Sequence, residues 1–236
     1  MTDIEYLNTI STVGIYAEIL LGILRYVPVK ISSIEDEYQS RLAEVLKFEK
    51  NHDPDLFRAC IDLLEDTQYA IDEVFENGLI TQSVSPGEKY LRLYGVLNAY
   101  YLQMGAITDL ARLFNLKGQK QMRADLKSAK IIELRNKLGS HTTSYLHSGI
   151  GEEPDFYRVA YTSIDKWGSN LGLVGKKKDI EEVDLIVTMK NFTYKVQDIL
   201  DKIVFKQLNS RTFKKEHLEW LKTRYDYIKE YRMNRE

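Results

Sequence analysis

Cysteine is almost absent from this 236-residue chain. Cys60 stands alone, so no disulfide forms within the chain and no zinc site is built on thiolates. Histidine is scarce as well: the four residues His52, His141, His147 and His217 are scattered. Neither a His-Glu-x-x-His helix nor paired Glu-x-x-His helices occur, which leaves no ligand set for a metalloenzyme, and no cofactor is expected. Proline occurs four times, at 28, 54, 86 and 154, where helices stop, start or give way to loop. A long hydrophobic run is also missing. The longest apolar stretch, Val13 to Leu24, is too short to span a bilayer and carries Glu18 near its middle.

What is present is a 44% apolar, 29% charged composition, ample for a core and ordinary for a cytoplasmic protein. Asp3 and Glu5 stand where a secretory signal would need positive charge, so cytoplasmic location and no membrane partner are expected. The net charge of −2 argues against a dedicated sequence-reading DNA-binding protein. The charge is unevenly spread, however. Residues 1–80 carry 6 Lys/Arg against 16 Asp/Glu, and residues 81–236 carry 27 against 19. A basic remainder behind an acidic first third lets one face approach phosphates.

Helical periodicity dominates and predicts an all-α fold: one domain, 1–236, with a small β-hairpin inserted at about 157–174 and C-terminal helices over about 179–232. A first helix is expected from Ile4 to Tyr26, stopping before Pro28, with Gly14 and Gly22 allowing close helix approach. Ser33 caps a second, to about Lys50. Asp53-Pro54 opens a third, which Gly78 ends. The fourth, from Ser85-Pro86 to about Asn115, is apolar almost all round and belongs in the middle of a bundle. The fifth runs from Gln119 to Leu138 with Gly139 as its left-handed terminator. Asp179 and Ser210 open the last two.

The richest chemistry lies in Arg135-Asn136-Lys137-Leu138-Gly139-Ser140-His141. A fixed cation, an amide and a titratable base surround one helix end, a minimal kit for handling a phosphodiester. Spacing alone decides nothing, because Arg211 and His217 repeat it. Context separates the two. Ile131, Leu134, Arg135 and Leu138 stand at i, i+3, i+4 and i+7, which seats Arg135 on an apolar face where a charge needs a partner. A bend at Gly139 would swing His141 back toward it. Arg211 and His217 lack such a glycine, and His217 is in register with Trp220, Leu221 and Tyr225 as a packing residue. Lys117, Lys120, Arg123, Lys127 and Lys130 recur every three or four residues and form a basic strip leading to the motif, a candidate RNA contact.

The segment Glu133 to His141 resembles the signature of the HEPN superfamily, in which an Arg, usually followed by Asn, Asp or His, precedes a His late in an all-α bundle. The stretch Tyr90 to Ala99 is similar to bacterial proteins of this kind, so the resemblance covers about residues 85–145. It implies a HEPN-like helical bundle and a metal-independent endoribonuclease, a toxin or defence RNase. Arg135, Asn136 and His141 would be catalytic, facing their twins across a homodimer. RNA or a nucleotide, and a protein antitoxin, are the implied partners. The alternative that the resemblance carries is an inactive module binding nucleotide, RNA or a protein. One toxin branch carries a modified tyrosine two residues after the motif histidine; here that position is Thr143, and the nearest tyrosine is Tyr145.

Overall fold

A computed structural model describes residues 3–29, 35–81, 85–140, 156–176 and 179–233, which are 74% helical with one small antiparallel sheet late in the chain. Nine α-helices are described: α1 (Asp3–Leu7), α2 (Thr12–Tyr26), α3 (Glu35–Leu46), α4 (Asp53–Asn77), α5 (Pro86–Leu113), α6 (Gln119–Lys127), α7 (Lys130–Arg135), α8 (Leu185–Ser210) and α9 (Lys215–Met233). Contacts divide them into two compact units. One comprises Met1–Gln68, Gly105–Met122 and Val196–Glu236, the other Tyr69–Met104 and Arg123–Lys195. The divisions fall inside α4, α5, α6 and α8, so these helices give residues to both.

In the first unit the expected first helix is two. The turn after Leu7 ends α1, and Ser11 restarts the chain, its Oγ accepting the Gly14 amide at 3.3 Å as an N-cap. Tyr16, Ile19, Leu20 and Ile23 of α2 are fully buried with Phe57, Ile61 and Leu64 of α4. Gly22 explains the contact between α2 and α9. A Cβ there would lie 2.6 Å from the Trp220 ring and 2.9 Å from Leu221, so the glycine serves internal packing. Phe48, Phe57 and Phe114 meet edge-to-face with centroids 5.0 to 5.8 Å apart. The second Arg…His pair is structural here, as its context indicates. Arg211 donates to the Val45 and Leu46 carbonyls that end α3, while His217 stacks on Tyr26 at 4.1 Å.

In the second unit α4 ends as expected at Gly78, whose φ of +73° only glycine adopts without strain; a Cβ there would also strike the Lys166 carbonyl at 2.3 Å. The hairpin is present but is part of a larger sheet. Strands β1 (Arg158–Val159), β2 (Leu171–Val174) and β3 (Ile180–Val183) run antiparallel in the order β1-β2-β3. Arg158 pairs with Val174 and Leu171 with Val183. The third strand corrects the expectation that helix begins at Asp179. Ile180–Val183 pairs with β2 and alternates in burial, with Ile180 and Glu182 exposed and Val183 inside, and Asp184 is the true start signal, its Oδ1 accepting the Val187 amide at 2.9 Å. Leu171 and Leu173 of β2 are fully buried, with Tyr100 and Phe192 packed edge-to-face at 5.3 Å. Tyr100 sends its hydroxyl to Thr193, 3.0 Å away.

One expectation for α5 needs correcting. Its apolar surface is not wholly enclosed: Leu91 is 75% exposed, Tyr94 42% and Leu102 40%. Among the described residues no helix is long and apolar enough to cross a membrane.

Candidate functional site

The expected fifth helix, Gln119 to Leu138, breaks at Ser128-Ala129, and α7 is a new start of six residues. Ala129 is extended, with φ −65° and ψ 141°. No glycine or proline forces this break. Leu126, Ala129, Ile131, Ile132 and Leu134 are all buried, so packing of an apolar cluster sets the change of direction. The basic strip is divided as a result. Lys120, Arg123 and Lys127 are exposed on α6, with Lys117 exposed before it. Lys130 lies in α7, where its ammonium is 3.1 Å from Glu133 and pairs with Glu181, so it offers no spare charge to a phosphate.

After Arg135 the backbone does not turn away. It widens into a π-helical turn over Asn136–Ser140, entered by the Asn136 amide donating to both the Ile132 and Glu133 carbonyls. This corrects the expected bend. Gly139 takes no left-handed conformation, and a Cβ there would meet only Arg135 Cγ, at 4.0 Å. Gly139→Ala should therefore leave the melting temperature unchanged or raise it, since alanine restricts the unfolded chain and strains nothing here. A marked fall on thermal denaturation would restore the glycine-bend reading.

The wider turn brings two successive residues inside, Lys137 at 5% exposure and Leu138 at 3%. Lys137 is compensated on every side described. Its Nζ lies 2.6 Å from Glu133 Oε1 and 2.9 Å from Glu181 Oε2, and 4.5 Å above the Tyr157 ring. With Lys130 these form a neutral ring of two ammonium and two carboxylate groups that bolts the turn to β3. Burial alone would lower the Lys137 pKa, but the bonds and charges of Glu133 and Glu181 outweigh it and hold it above the usual 10.5. Glu181 moves the other way. Burial raises it, yet Lys130 and Lys137 hold it below 4.5.

The depressed Glu181 contributes stability above pH 4.5 that fades as pH falls through its folded value. The raised Lys137 contributes stability that is complete below pH 10.5 and lost only above its folded value. The clamp should thus hold across the neutral range. The melting-temperature gap between wild type and Glu181→Gln is expected to be constant from mildly acidic to mildly alkaline buffer and to close below pH 4.5. A gap that persists in strong acid would show that Glu181 acts otherwise.

Arg135 sits beside this clamp and outside it. Its guanidinium carbon lies 3.8 Å from the centroid of the Tyr101 ring, and Nη1 donates to Asn136 Oδ1 at 3.3 Å. Arg135 and Asn136 are both half-buried. Among the described residues no carboxylate pairs with Arg135, whereas Arg92, Lys130 and Lys137 of the same unit each meet two. The ring face holds the cation in place without neutralising it, and most of its donors have no partner among the described residues. Asn136 meets Arg135, while His141 lies outside the described residues.

Tyr101, Lys137 and Glu181 are members of the site that motif reading did not single out. The Glu133–Lys137 spacing of four is visible in the sequence. Tyr101 and Glu181 are distant in the chain and have no such signal.

No family model, no curated protein and no solved structure matches this chain.

Proposed function

We propose that the chain is a metal-independent endoribonuclease of HEPN type, working through Arg135, Asn136 and His141 of two copies, as a toxin or defence RNase that a protein antitoxin restrains. The observation that carries this reading is the state of Arg135: a cation held against Tyr101, touching Asn136, with no carboxylate among the described residues. A guanidinium so kept supplies fixed charge and forked donors to phosphoryl oxygens as negative charge builds in the transition state.

The chemistry needs no metal when the neighbouring 2′-hydroxyl attacks. The O2′–P bond forms and the P–O5′ bond breaks. One His141 takes the 2′ proton, and the protonated His141 of the second copy gives a proton to the leaving O5′. General acid–base help of this kind is worth about 10²–10⁴-fold. The products are a 2′,3′-cyclic phosphate and a 5′-hydroxyl.

The test is incubation of purified protein with RNA in excess chelator. Cleavage is expected, with 5′ ends that a polynucleotide kinase labels without prior dephosphorylation, and His141→Ala should abolish it. Cleavage by His141→Ala at the wild-type rate sinks the mechanism. RNA bound but left intact by the wild type supports the second reading, an inactive module binding nucleotide, RNA or a protein. That reading is favoured by the Arg135–Asn136 pair being an anion seat without any histidine.

A further inference from the structure

The exposed face of α5 next to Arg135 is chemically unusual. Leu91, Tyr94, Gly95, Asn98 and Leu102 face solvent, and none of them is charged. The one charged residue in that stretch, Arg92, turns to Glu73 and Glu88 at 3.1 Å each. At about 100° per residue Tyr90, Tyr94 and Tyr101 lie within about 40° of one another, on one side of this face. Tyr90 and Tyr94 stack with centroids 5.8 Å apart and planes 29° from parallel. Tyr161, between β1 and β2, continues the row, 6.3 Å from Tyr90 and 39% exposed. Lys89 lies 4.7 Å over its ring. At the other end Tyr101 carries the Arg135 guanidinium.

We propose that Tyr161, Tyr90 and Tyr94 form a stacking row that seats the unpaired bases of single-stranded RNA beside the phosphate held by Arg135. This rests on the reading of Arg135 as a phosphate ligand and names the substrate form. Aromatic rings stack on any base, and a row free of carboxylates does not repel the backbone. Tyr94 and Tyr101 are about 10 Å apart along the helix axis, a length that a few stacked nucleotides cover. Asn98 lies between them on the same face and is exposed, with a donor and an acceptor for a base edge. A Watson–Crick duplex keeps its bases stacked inside and gains nothing from such a row.

The test is binding of a short fluorescein-labelled oligouridylate or oligoadenylate, followed by anisotropy, with a duplex of mixed sequence in parallel and sedimentation of each variant. Wild type should prefer the single strands. Tyr94→Ala should weaken single-strand binding roughly 5- to 150-fold, and Tyr161→Ala, on a different element, should do likewise. Tyr94→Phe should bind like wild type, because the ring and not the hydroxyl is used. Unchanged binding by Tyr94→Ala together with lost binding by Arg135→Ala overturns the row and leaves the phosphate seat standing. No single-strand binding by wild type removes both. A preference for duplex overturns the row. So does a fall in affinity that coincides with conversion of a dimer to monomers in the centrifuge, which would assign this face to a second copy.

Discussion

Arg135→Ala is expected to lower RNA cleavage by about 10²–10³-fold, the cost of removing one preorganised donor from a developing oxyanion, while the fold barely responds. The two effects separate because of how Arg135 is held. Its one described hydrogen bond runs to the adjacent Asn136, and its other contact is the face of Tyr101. No described carboxylate is stranded when the guanidinium goes, so the structural loss is that of a partly exposed cation–π contact, about 0.5–1 kcal/mol. Arg135→Lys should not rescue cleavage. An ammonium neither stacks flat on Tyr101 nor offers the paired donors that fit a phosphate. The contrast with Lys137 sharpens the test. Lys137 is more buried than Arg135, yet Glu133 and Glu181 neutralise it, so Lys137→Met should act on stability first and on RNA affinity only through displacement of the turn. Should Arg135→Ala unfold the protein at much lower temperature and leave RNA affinity intact, Arg135 is a structural tie and the nuclease reading falls.

The legible parts of this molecule are those governed by local chemistry. Asp53-Pro54 and Gly78 bound α4 as their residue types require, and Ser11, two residues before the apolar run that starts at Val13, carries the ordinary signature of an N-cap. The break at Ser128-Ala129 is different. Both residues are tolerated inside a helix, and only the burial of Ala129 with Leu126, Ile131 and Ile132 makes an extended residue favourable there. The third strand was hidden for a related reason. Ile180-Glu181-Glu182-Val183 has no apolar alternation to mark it, and its pairing partner, Leu171 to Val174, is what makes it a strand. At the site the same division holds. Arg135 on an apolar face promised a partner, and the partner is an aromatic ring from a helix more than thirty positions earlier. The glycine that looked like the hinge is an ordinary member of a π-helical turn, in which Lys137 reaches Glu181. Neither relation follows from spacing.

Glu18→Ala should destabilise the first unit by about 3–5 kcal/mol, read as a lower urea midpoint with an unchanged slope. Glu18 interrupts the longest apolar run of the chain, and its role becomes clear only from α9. Its Oε2 accepts from Arg224 Nε at 3.1 Å, and its Oε1 accepts the Tyr6 hydroxyl. The Arg224 side chain is 5% exposed and lies 3.7 Å over the Trp220 ring. Its other carboxylate, Asp3, is 3.9 Å away and well exposed, and Nη1 makes no hydrogen bond among the described residues. Without Glu18 a buried guanidinium loses its close counter-charge and Tyr6 loses its acceptor. The size of the effect comes from the charge left behind, not from the net worth of the pair, because desolvating both ions offsets most of their attraction. Glu18→Leu combined with Arg224→Met should therefore recover much of the stability lost by Glu18→Ala, a coupling that a double-mutant cycle measures directly. Additive losses in that cycle would mean that the two side chains act separately.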